Sequence, residues 1–420
     1  MKLVFLLNDF LPEHVGGTEV HTAELALEFA RLGHEALIVC TERDSSRSDG
    51  DIREREYRGL RVLEVAHSRE YACAEDTWEE PRQSALMARI LREETPQLMH
   101  VQHFAQWGSA VLATAQNHGI PSVVTLHDYH LLCANACLLR ADGSLCAGDC
   151  AQCLQGLPAL RAGHGPFALE AAAAARRAWH AADLTRAACV IAPSKFLAGK
   201  VLARGLCSAD KLEVLSSGVR GSWRDPQPSD SRAPLRLAYV GGIYPSKGVH
   251  VLIEALAQMP RGLASLDIHG VLEWFPSYVE HLRALCGESV DVRWGGRFEP
   301  EGIDALLDAA DVLVAPSVWY ENRPLSIQAA FRRGLCVVAS NLGGMAELVE
   351  PGRGGELFPH GDAAALARTL TQLASDRPRV LALARARPSL PSIEQVADRH
   401  LELYRSALSA PFSPGLGALG

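Results

Sequence analysis

Both halves of this chain open on one local pattern, and that repetition limits the available folds more than any other feature. Residues 2–7 form a short apolar run, a loop with Gly16 and Gly17 follows, and residues 18–32 carry helical periodicity through Val20, Ala23, Leu27 and Ala30, with Gly33 as the stop. In the second half residues 236–240 repeat the run, GGIYPSKG repeats the glycine loop, and residues 249–258 repeat the helix. Parallel strands need a crossover between them, usually a helix, so each half is expected to build a parallel α/β sheet.

The alternation continues through the chain. Further β-type runs fall at residues 36–40, 60–65, 98–101, 122–126, 189–192 and 212–215, then at 264–269, 290–293, 312–315, 336–340 and 356–358. At 420 residues the chain exceeds what one core fills, so two domains are expected, at 1–218 and 219–392. The Gly-, Ser-, Asp-, Arg- and Pro-rich residues 216–234 read as the linker, residues 393–410 as a last amphipathic helix, and the tail from Pro411 as disordered.

A formal charge of −8 leaves no basic footprint, so nucleic acid is not an expected partner. Residues 1–7 are too short for a signal or a membrane span, and a cytoplasmic protein is expected. Arg161, Arg176, Arg177 and Arg186, set among alanines, could mark a surface helix touching the inner face of a membrane, although an ordinary solvated helix reads the same way. The eleven cysteines are expected as thiols. Five cluster at Cys133, Cys137, Cys146, Cys150 and Cys153, and four of them, such as Cys133, Cys146, Cys150 and Cys153, would suit a structural zinc. A cysteine-rich loop without metal is the alternative.

Residues 311–348 hold the densest chemistry. An apolar run leads into a loop with Glu321, Pro324 and Leu325 open a helix, and a second run ends at Gly343 and Gly344 before another helical start. Crevices beyond the carboxyl ends of parallel strands hold ligands, and helix N-termini there favour anions. Gly16 and Gly17 offer the same kind of close approach to a phosphate or a sugar. Lys247 follows Gly241 and Gly242 at a predicted helix start, where a cation opposes the dipole, so a bound anion accounts for it better than solvent does. His103, His127 and Asp128 lie at strand exits, where an imidazole can bind a sugar hydroxyl or shuttle a proton. The letters G-x-G-x-x-G at Gly415, Gly417 and Gly420 have no strand before them and no helix after, and no P-loop exists.

Taken in order, GGTEVHTAELALEFARLGHEA, TLHDYHLLC, VGGIYPSKGVHVLIEAL and the segment 311–358 resemble a retaining glycosyltransferase of family four. The resemblance implies the GT-B fold, two facing Rossmann-like domains with a final helix crossing back to the first. It implies a nucleotide diphosphate sugar donor and a glycan, lipid-linked or small-molecule acceptor, with no cofactor or metal needed for catalysis. By it Gly17 would approach the donor diphosphate or the acceptor, and Lys247 would neutralise the diphosphate. His127 and Glu321, with backbone N–H groups near Gly344, would contact the donor sugar.

Two positions depart from the family pattern. Its arginine after the first glycine of the second-domain loop is Gly242 here, and the second glutamate of its pair is Ala329, with Gln328 one residue earlier and about 100° around a helix. Losing that acceptor for the ribose hydroxyls would cost on the order of 1.5–3 kcal/mol of donor binding. A catalytically silent, glycosyltransferase-like binding or scaffold protein is therefore the second reading. A GT-B epimerase or phosphorylase has no positive sign.

Overall fold

Apolar runs of this kind have no polar face, which suits strands covered on both sides by helices. The structure is a computed structural model describing residues 1–67, 71, 73–146, 151–154, 157–161, 165–228, 232–287 and 290–410. Cys150, Glu70 and the tail from Pro411, with Gly415, Gly417 and Gly420, lie outside the described residues. The chain divides into two units, Met1–Gly218 together with the chain from Ser392, and Val219–Pro391.

The first unit holds β1 (Lys2–Leu6), β2 (Glu35–Glu42), β3 (Ile52–Tyr57), β4 (Leu60–Ala66), β5 (Leu98–Val101), β6 (Ser122–Thr125), β7 (Cys189–Ala192) and β8 (Leu212–Val214), in the order β3-β4-β2-β1-β5-β6-β7-β8. Every neighbouring pair is parallel except β3 with β4. That exception is an edge hairpin the apolar pattern does not reveal. Its strand reads IREREY, and Arg53 and Arg55 both pair with the buried Glu64 of β4.

The second unit holds β9 (Leu235–Val240), β10 (Ala264–His269), β11 (Val292–Gly296), β12 (Val312–Ala315), β13 (Cys336–Ser340), β14 (Glu350–Pro351) and β15 (Gly354–Phe358), in the order β11-β10-β9-β12-β13-β15-β14. Its neighbouring pairs are all parallel. The expected linker does not behave as a free connector beyond Val219. Arg224 N donates to Arg332 O at 2.9 Å, the Arg224 guanidinium pairs with Asp308 at 2.7 Å, and Arg387 donates to Arg224 O at 3.0 Å. A polar composition here marks a strap bound to the second unit.

The last helix, Ile393–Ser409, belongs to the first unit. Ser392 and Gln395 close a capping box at its start, and Ile393, Ala397, Leu401, Tyr404 and Ala407 enter the core beside Phe5 and Phe29. The Tyr404 hydroxyl meets His100 Nδ1 at 2.6 Å, and His100 Nε2 meets Thr125 Oγ1 at 2.8 Å. The His400 ring lies 5.5 Å from that of His100, and the His21 ring 5.3 Å from that of His127.

The arginines expected on a membrane-facing helix are largely engaged inside the unit. Arg176 is buried and donates to His130 O, Arg161 pairs with Asp76 at 2.9 Å and Glu79 at 2.7 Å, and Arg186 donates to Gln116 at 2.6 Å. Among the described residues no helix is long and apolar enough to cross a membrane.

Burial holds His21, His100, His127 and His400 below the usual imidazole pKa, near 3 for His127 and 4 for His400. Their depressed values make stability complete above about 6.5, the unfolded value, and lost as pH falls below it, because the unfolded chain takes protons that the fold refuses. Urea titrations should show the unfolding free energy falling below pH 6.5 by roughly 1.4 kcal/mol per pH unit for each such imidazole. His100→Gln should flatten that slope, and an equal slope in the variant would assign the acid response elsewhere.

Candidate functional site

Where strand order reverses in a parallel sheet, loops part to opposite faces and leave a crevice at the carboxyl ends. In the second unit β9 stands between β10 and β12, so the crevice lies between the loops 241–248 and 316–324. Those loops are stitched together. Val318 N donates to Ser246 O at 2.9 Å, and a Cβ on Gly248, at φ +69°, would collide with the carbonyl of Pro316.

Across this seam Lys247 Nζ donates to Glu321 Oε1 at 2.6 Å, and Ser317 Oγ donates to the same oxygen at 2.8 Å. The ammonium also lies 5.1 Å from the Trp319 ring and 5.6 Å from the Tyr244 ring, in range of cation–π attraction. Burial opposes the charge on Lys247, but the Glu321 carboxylate more than offsets it and holds the pKa above the ordinary value. The sequence reading of Lys247 is corrected in two respects. It ends a short 3-10 turn, Pro245–Lys247, ahead of the helix Val249–Ala257, and its counter-charge in the ligand-free chain is Glu321.

The loop after β13 supports Glu321 from the other side. Gly343 sits at φ +57°, its Cβ would crowd Glu321 O at 2.7 Å, and a Cβ on Gly344 would collide with the carbonyl of Asn322. Gly344 N donates to Glu321 O at 2.6 Å, so the N–H expected to face a sugar is already taken by the loop it braces. Pro324 is the N-cap of the helix Leu325–Arg332, no side chain caps that start, and Leu325 is its first residue. Gly242 O accepts from Tyr239 Oη at 2.5 Å, and the Tyr244 ring covers the place a Gly242 side chain would take. Ala329 is nearly buried on the helix, and the neighbouring Gln328 is fully buried with neither amide atom hydrogen-bonded.

In the first unit the equivalent reversal lies between β1 and β5. Gly16 is the N-cap of the helix Gly17–Arg31, and the Glu19 carboxyl folds back over the place where a Gly16 Cβ would stand. Burial pushes the Glu19 pKa up to about 7, with Asp9 adding to the rise. A phosphate at Gly16 and Gly17 would face that carboxylate, so the site suits a neutral hydroxyl better than an anion.

Asp128 and His103 form a pair, Oδ2 to Nε2 at 2.8 Å, while Ala105 N donates to His103 Nδ1 at 3.0 Å and His130 N to Asp128 Oδ1 at 2.8 Å. Burial alone would raise the Asp128 pKa, but His103 and the His130 N–H carry it down to about 2. Burial likewise works against His103, whose pKa Asp128 holds above the usual value. His127 Nε2 meets Gln102 Oε1 at 2.7 Å, and burial takes its pKa to about 3. A base that weak takes up little proton near pH 7, which leaves hydrogen bonding as the role its position allows.

Cys133 and Cys153 are buried and Cys146 half-buried. Among the described residues no three His, Cys, Asp or Glu side chains stand close enough to hold a metal, and Cys150 is outside them.

Two residues escaped the sequence reading. Glu19 had a signal, its capping-box spacing after Gly16. Arg323 had one too, because a cation just before the helix that Pro324 opens is as anomalous as Lys247 seemed. Arg323 makes no side-chain hydrogen bond or ion pair among the described residues, and its Nε is buried without a partner.

Known proteins share this architecture. Residues 15–220 match the model of Glycosyltransferase Family 4 and residues 234–376 that of Glycosyl transferases group 1. WcaL of Escherichia coli K12, named for colanic acid biosynthesis, is 33% identical over 230 residues, 51% of this chain and 55% of its own. The amylovoran biosynthesis glycosyltransferase AmsK of Erwinia amylovora is 29% identical over 48% of this chain and 52% of its own. The chain thus spans about half the length of the curated relatives it matches. HepE of Anabaena, solved with UDP and glucose, superposes with a TM-score of 0.69 at 20% identity, over 97% of this chain and 100% of that one. Sucrose-phosphate synthase of Thermosynechococcus elongatus superposes with a TM-score of 0.70 at 19% identity, over 98% and 100%. These two show a common fold, GT-B. With both family models met in order along the two units, the chain belongs to the family-four glycosyltransferases.

Proposed function

We propose that the chain moves a sugar from a nucleotide diphosphate sugar to a glycan, lipid-linked or small-molecule acceptor, with retention at the transferred carbon, in building a polysaccharide. The Lys247–Glu321 pair at the β9/β12 crevice carries this reading. Without ligand the two charges satisfy each other. A donor offers each a substitute, since sugar hydroxyls can donate to Glu321 while phosphate oxygens accept from Lys247. A bare phosphate would still meet the repulsion of Glu321, so one ligand bearing both groups opens the pair at least cost. Positive charge from Lys247 and the uncapped start of the helix Leu325–Arg332 would then stabilise the leaving diphosphate.

On the acceptor side, the carboxyl of Glu19 over Gly16 favours a hydroxyl at Gly17, with His103 and Asp128 as further hydrogen-bonding groups, while His127 would hydrogen-bond the donor sugar. A neighbour solved with UDP-glucose supports the nucleotide sugar donor, and relatives named for colanic acid and amylovoran biosynthesis support the polysaccharide reading. The specific observation favouring the silent, scaffold-like alternative is Ala329, which leaves the ribose without its carboxylate.

Incubation with a panel of nucleotide sugars should release nucleoside diphosphate from at least one of them, and failure to bind any donor would favour the scaffold. Glu321→Gln should slow turnover yet tighten binding of the free nucleoside diphosphate, since a repelling charge is gone. Weaker diphosphate binding in calorimetry would contradict that exchange. Ala329→Glu should tighten donor binding roughly ten- to hundredfold, and unchanged affinity would remove the ribose argument.

A further inference from the structure

Lys247 is neutralised by Glu321 until a ligand separates them, whereas Arg323, two residues beyond Glu321, makes no salt bridge among the described residues. Its neighbour Asn322 presents a carbonyl against Gly344, which puts Arg323 at the junction of the β12 and β13 exit loops, immediately before the N-cap of the helix Leu325–Arg332. Its guanidinium Nε is shut off from solvent without a hydrogen bond. Burial draws its pKa down, and Glu347, the acid that opposes this, forms no ion pair with it. A cation at that position is disfavoured by the helix dipole and by desolvation together. Within the helix that follows, Gln328 is fully buried with both amide atoms unpartnered. Buried polar groups in folded proteins are nearly all hydrogen-bonded, so the unpartnered Nε of Arg323, at the exit of β12, points to a missing acceptor. The arginine the family pattern would place at Gly242 is absent, and Tyr244 covers that position.

We propose that Arg323 is a phosphate-binding residue of this site, supplying from the β12 exit loop the guanidinium contact that Gly242 cannot make. The proposal rests on the donor being a nucleotide diphosphate sugar. A guanidinium can grip two phosphate oxygens at once. Lys247 would then stabilise the charge developing as the sugar leaves, while Arg323 holds the diphosphate in both ground and transition states.

The test compares the whole chain with Arg323→Gln and Arg323→Lys. Calorimetry uses UDP, GDP and ADP, inorganic pyrophosphate, and the matching phosphate-free nucleosides as probes. Arg323→Gln should lose ten- to hundredfold in affinity for the nucleoside diphosphate and for pyrophosphate, with a shallower salt dependence and unchanged nucleoside binding. Arg323→Lys should recover part of the loss. Because the ligand-free protein gains nothing from this cation, Arg323→Gln should melt at the wild-type temperature or above it. Diphosphate affinity within twofold of wild type, or a lowered melting temperature without ligand, would overturn the assignment and leave the proposed activity standing. A loss confined to nucleotide sugars carrying a carboxylate would also overturn it, since Arg323 would then read the sugar. A wild-type chain that binds no nucleoside diphosphate would sink the activity and this inference together.

Discussion

The second unit's chemistry hangs on the seam where the loops after β9 and β12 meet. Lys247 and Glu321 face each other across it at 2.6 Å because Gly248 lets one backbone touch the other and Gly344 braces Glu321 from behind. The charged pair is a product of backbone proximity, and proximity here depends on missing side chains. Each of these glycines has backbone where its Cβ would go, so the site's precision lies in what the loops omit.

The fold was legible wherever apolar runs alternate with helices, as at β1, β5, β12 and β13, because burial on both faces leaves a compositional mark. It was not legible at β3. Ile52 to Tyr57 carry charges that read as solvated loop, and the reason they form a strand lies on β4, where the buried Glu64 needs both Arg53 and Arg55. A pairing requirement placed on one strand by its neighbour has no local signature. The strap through Arg224 is a similar case, since its polar composition hides contacts with Arg332, Asp308 and Arg387.

At the site, the sequence revealed which residues stand at strand exits but not which of them satisfy one another. In the sequence Lys247 and Glu321 read as independent contacts to a ligand, and only the topology brings them together across so much sequence. The helix dipole that opposes Lys247 opposes Arg323 as well, and there burial adds to it while Glu347 offsets it only in part. Burial could not be read from spacing either, and it is burial that makes His127 a weak base and pushes Glu19 to about 7.

The last helix carries a consequence for biosynthesis. Tyr404 and Ala407 complete a core whose other members include Leu3 and Phe5, so the first unit is discontinuous in sequence while Val219–Pro391 is one uninterrupted segment. On a ribosome the second unit can close as soon as it emerges, but the first must wait with part of its apolar core uncovered until the helix Ile393–Ser409 has left the tunnel. The unit begun first therefore closes after the second, and the hydroxyl that meets His100 is among the last contacts that unit can make.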